Sequence, residues 1–106
     1  MESEKLKEEF HEAMLNIYRR AKSEAGYNAS RFLSMVVEDR TGGIATAKYL
    51  IHLQPPSEGY TALQLRHRLD LTVEAVIADN PKWHPLFTPE DLAACDKRLR
   101  DVEYLK

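Results

Sequence analysis

The stretch Gly59–Asp79, GYTALQLRHRLDLTVEAVIAD, constrains the fold more than any other part of this 106-residue chain. Leu63, Leu65, Leu69, Leu71, Val73, Val76 and Ile77 put apolar side chains on more than one helical face. A helix that is apolar nearly all round must be packed by neighbours on several sides. The pattern predicts a core helix over about 71–79, with Asp70 as its N-cap. A short helix over Tyr60–Arg68 should lead into it. The rest of the chain must then supply the helices that surround it.

The flanking segments read that way. Leu6, Phe10, Met14, Ile17, Ala21 and Ala25 recur every three or four residues, which predicts an amphipathic helix over 3–25. Ser3 is its expected N-cap and Gly26 its expected C-cap. Asn28 is the expected cap of a helix over 29–40 that buries Phe32, Leu33, Val36 and Val37. Thr41-Gly42-Gly43 breaks that helix. A third follows over about 44–53, with Ile44, Ala47, Leu50 and Ile51 inward and Lys48 and His52 outward. Paired prolines make 54–59 a loop, and Asn80-Pro81 stops the core helix. Trp83 and Phe87 should plug the end of the core. Thr88-Pro89-Glu90-Asp91 is a strong helix start, because threonine caps, proline suits the first turn and Asp91 can return a capping bond. Leu92, Cys95, Leu99 and Val102 give that last helix, Pro89–Glu103, its apolar stripe. No strand pattern occurs. The prediction is an all-α single domain over 1–106, a compact bundle of five or six helices.

The segments YNASRFLSMV, GGIATAKYLI, GYTALQLRHRLDLTVEAVI and HPLFTPEDLAACDKRL occur in this order. Together they resemble a family of short uncharacterised bacterial proteins over about residues 10–100, with RLDLTVEA and HPLFTPEDL carrying most of the likeness. The resemblance implies a bacterial origin and brings no functional residue with it.

Composition narrows the function classes. The net charge of −2 supplies no global basic field for nucleic acid. No apolar run reaches the roughly 20 residues of a membrane span. The acidic start MESEKLKEE is unlike a secretory signal, and the single Cys95 rules out an internal disulfide, which together predict a cytoplasmic protein. His11, His52, His67 and His84 lack metal-ligand spacing, and no phosphate loop or other motif implies a cofactor.

Three functional readings remain. Asp70 and Glu74, four apart and beside His67, could do the acid–base work of a small hydrolytic enzyme if they share a helix face. The plainer reading makes Asp70 a cap, Glu74 an exposed residue and the nearby arginines ion-pair partners. Helices 29–40 and 44–53, joined by Thr-Gly-Gly, have the outline of a helix-turn-helix. That second helix offers Thr46, Lys48, Tyr49 and His52, without Arg, Asn or Gln for bidentate base contacts. The third reading ranks first, a non-enzymatic interaction protein with a protein partner. Tyr18, Tyr27, Tyr49, Tyr60 and Tyr104 lie at helix ends or outside the stripes, and tyrosine and arginine are enriched at interfaces. Residues 18–53 hold six cations against three anions, so the expected binding shoulder is Arg19, Arg20, Arg31, Arg40 and Lys48.

Overall fold

Helix α1 (Glu2–Glu24) is the longest element of the computed structural model, which describes residues 2–101. It is already under way at Glu2, one residue ahead of the expected cap Ser3. Phe10, Met14, Ile17 and Ala21 are all buried, as their spacing requires. Gly26, at φ +67°, lets the chain turn back so that the Tyr27 N–H donates to the Ala21 carbonyl at 2.9 Å.

Helix α2 (Ser30–Glu38) starts later than expected. Asn28 does not cap it; its side-chain oxygen accepts from the Tyr18 hydroxyl at 3.0 Å. Ala29 stands at the cap position without a side-chain bond. Val36 is fully buried, whereas Val37, expected inside, is 64% exposed. The helix is nine residues long, and Met35 takes the inward place beside Val36.

The Thr-Gly-Gly turn is fixed by close approach. Gly42 and Gly43 have φ of +74° and +88°, and a Cβ on Gly43 would lie 2.9 Å from Met14 Cγ. Helix α3 (Ile44–Ile51) can therefore begin directly against α1. Asp39 ties the turn together, with one oxygen accepting the Thr41 N–H and the other accepting both the N–H and the hydroxyl of Thr46, each at 2.8 Å. Burial opposes the charge of Asp39, but these bonds outweigh it and hold the carboxyl below its usual range.

Helix α4 (Glu58–Leu65) is capped by Ser57, whose hydroxyl accepts the Tyr60 N–H at 3.1 Å. A single 3-10 turn, Leu69–Leu71, separates it from α5 (Val73–Asp79). Thr72, not Asp70, is the cap of α5, accepting the Ala75 N–H at 3.1 Å. The helix thus begins two residues later than the sequence suggests. Val73, Ala75 and Ile77 are buried, and α6 (Pro89–Asp101) and α3 pack against them.

The 3-10 segment Pro81–Leu86 carries Trp83, which with Phe87 closes the core around Phe10. Both ring pairs meet edge to face at 5.4 Å. His84 Nε2 donates to the Ile77 carbonyl at 3.0 Å and ties the 3-10 segment to the end of α5. Thr88 and Asp91 form the reciprocal capping box of α6, at 2.9 and 3.1 Å. Cys95 and Leu99 are fully buried on its stripe, and Val102 and Tyr104 lie outside the described residues. Burial pushes the Cys95 thiol up to about 12, helped by nearby carboxylates. The molecule is all-helical among the described residues: six α-helices and two 3-10 segments, with no strand.

Candidate binding cleft

Five residues, 25–29, connect α1 to α2. A cleft of about 550 Å³ opens between the α1–α2 connection, α2, the end of α3, α4 and the start of α5. Ile17, Ala21, Leu50, Leu63 and Leu71 form its floor. Tyr27, Phe32, Met35 and Leu53 form half-buried walls, and Arg31, Tyr49 and Glu58 stand exposed at the mouth.

At its base lies an ion pair that the sequence does not announce. Glu74 is 3% exposed and accepts from Arg98 Nη1 at 2.9 Å. The same guanidinium donates to the carbonyls of Leu50 (2.9 Å) and Leu53, so it closes the carboxyl end of α3. Tyr60 completes the group, its hydroxyl donating to the Arg98 carbonyl at 3.1 Å and its ring lying under the guanidinium. Burial raises the Glu74 carboxyl above its ordinary value, although the Arg98 bond pulls the other way. Burial, with the charge of Glu74, takes the Tyr60 phenol to about 12.

This arrangement corrects two expectations. Glu74 is buried, not exposed, and Tyr60 is a core residue rather than a surface tyrosine. Nor do Asp70 and Glu74 share a helix face, because Asp70 belongs to the 3-10 turn ahead of α5. Arg68 grips Asp70 through two bonds of 3.0 and 3.1 Å and reaches Glu24 at 2.7 Å. Arg20 joins the same network, and the bonds from Arg20 and Arg68 lower the Glu24 carboxyl to about 2. His67 stands exposed at φ +59°. Each carboxylate of the expected catalytic group is thus committed to a different arginine.

The expected basic residues also divide. Arg19 pairs with Glu12 at 3.6 Å, and Arg20 with Glu24 at 2.8 Å. Lys48 lies 3.3 Å from Asp91, the carboxylate that also receives His52 at 2.8 Å. Burial disfavours the charge of Asp91, yet the bonds from His52, Lys48 and Thr88 outweigh it and bring the carboxyl to about 2. Arg31 and Arg40 make no ion pair with any described residue. Only Arg31 lines the cleft. Among the described residues, no three His, Cys, Asp or Glu side chains gather as a metal-ligand set, and no helix is long and apolar enough to cross a membrane.

No protein-family model, curated protein or solved structure matches this chain.

Proposed function

We propose that this chain is a non-enzymatic binding protein of the bacterial cytoplasm whose cleft receives an apolar segment of a protein partner. The observation that carries this reading is the cleft itself. Its volume of about 550 Å³ lies within the range of roughly 300–1,000 Å³ that ligand sites occupy. Tyr27, Phe32 and Tyr49 offer aromatic contact area at its edge, the residue class that anchors interfaces. The charges at its base are already matched, Glu74 by Arg98, so they favour a fixed floor over proton transfer. The bacterial setting follows the segment resemblance, and the cytoplasmic one the lone buried thiol.

The packing of α3 weighs against a recognition helix. Thr46 is buried on Asp39, while Lys48 and His52 both turn to Asp91. Ala45, Tyr49 and the Asp91-bound His52 are the exposed side chains, with little to read a base edge.

A photo-reactive phenylalanine analogue at position 49 tests the proposal, compared with one at the exposed position 97 on α6. A discrete polypeptide adduct from position 49 alone is the expected result. No adduct at 49, or equal adducts from both positions, refutes the cleft as a partner site.

A further inference from the structure

The mouth of the cleft has a charge imbalance set against the character of the chain. Arg31 is exposed there and makes no ion pair with any described residue. Arg66 lies over the Tyr27 ring, 5.3 Å from its centroid, and spends its bonds on two carbonyls, those of Ala25 and Ala62. Among the described residues, Glu58 is the single carboxylate at the mouth. Arg31, Arg66 and Glu58 all lie near enough to act electrostatically on the Tyr27 phenol, and Arg66 stands over its ring. Two cations against one anion is a local excess of positive charge on a protein of net charge −2.

Elsewhere on the surface several cations are answered. Arg19 has Glu12, Arg20 has Glu24, and Lys82 has Glu9. Neither guanidinium beside Tyr27 has a carboxylate partner among the described residues. Arginine favours carboxylates, and its flat face stacks on aromatic rings, as Arg66 already does. The apolar walls behind the mouth suit carbon-rich side chains better than a sugar–phosphate backbone, which needs a continuous basic track.

We propose that the partner segment is acidic as well as apolar. An aromatic or aliphatic side chain enters the cleft, while an adjacent carboxylate meets Arg31 at the mouth beside Tyr27. This inference rests on the cleft-binding reading and adds the charge of the partner to it.

Three blocked peptides test it: acetyl-Phe-Glu-Leu-amide and its analogues with Gln or Lys in place of Glu. Each is titrated into the isotope-labelled protein while the amide resonances of Asn28, Ser30, Arg31 and Tyr49 are followed. The Glu peptide should bind about threefold more tightly than the Gln peptide and about tenfold more tightly than the Lys peptide, the scale of exposed charge pairs. Arg31→Gln should erase that order and Glu58→Gln should widen it, since neither side chain has an ion pair with a described residue to lose. Equal binding of all three peptides at the cleft overturns the acidic inference and leaves the binding reading standing. If no peptide shifts these amides, both fall. A short oligothymidylate that shifts them more strongly than the Glu peptide overturns the proposal in favour of nucleic acid.

Discussion

The two sides of α5 use charge in opposite ways. Towards α3 and α6 the molecule is closed, and its polar groups are matched bond for bond. Arg98 serves Glu74 and two carbonyls at once, and Asp91 gathers His52, Lys48 and Thr88. Towards α2 and α4 the molecule is open. Arg31 and Glu58 stand at the cleft mouth without ion pairs among the described residues, and Tyr49 remains 56% exposed beside them. The difference teaches where stability and where recognition reside. A buried charge without its partner is costly, so the closed side tolerates few changes. A solvated charge costs little to leave unpaired, so the open side is free to bind.

The largest test of this contrast is Arg98→Ala. It strands the Glu74 carboxylate and the end of α3, and should destabilise the protein by about 3–5 kcal/mol in urea unfolding. The double variant Glu74→Leu with Arg98→Met removes both charges and should recover much of that loss. A small effect of Arg98→Ala alone would mean that the closed side is not held by this pair. Next comes Gly43→Ala, where φ of +88° and the approach to Met14 should cost about 1–3 kcal/mol, read as a lower melting temperature.

Asp91→Asn should cost about 1–2 kcal/mol at neutral pH, since it removes one acceptor charge from the first turn of α6. Its pH signature is more specific. The folded carboxyl lies at about 2, below the unfolded value near 3.9. The unfolded chain therefore binds the proton first, and stability is lost as pH falls from about 4 towards 2. Asp91→Asn should flatten the acid limb of a pH–stability curve by one group. Glu74 has the opposite sign, because its raised folded value makes its ionisation a cost that grows as pH rises above about 4.3. The smallest expected effect is Arg31→Gln, within about 0.5 kcal/mol of wild type in the same unfolding assay. A larger loss there would break the distinction between the two sides.

Much of the closed side was legible in the sequence. The 3.6-residue periodicity of α1 placed Phe10, Met14 and Ile17 inward, and Thr88-Pro89-Glu90-Asp91 marked the start of α6. The Trp83 and Phe87 plug followed from their size. What escaped was long-range pairing. Glu74 and Arg98 are 24 residues apart, and neither looks buried by type. A signal was nonetheless present: Glu74 sits in VEAVI, where an all-round apolar helix has no outer face to give it. Arg98 falls one turn beyond Cys95, on the inner side of α6. The cleft was illegible because it depends on the angle at which α2 leaves α1. The hydrophobic pattern says that Phe32 faces inward, passes over Met35, and does not say how far away the opposite wall stands. Sequence proximity alone groups the basic shoulder, and proximity gives no account of partners such as Asp91 for Lys48 or Glu12 for Arg19.

The most direct test of an open side set against a closed one is a titration of the isotope-labelled protein with p-cresol, a neutral stand-in for an aromatic side chain. Amide shifts confined to the cleft, at Tyr27, Phe32, Tyr49, Leu53 and Gly59, are the predicted result. Shifts spread evenly over the surface, or centred on α5 and α6, would contradict the account.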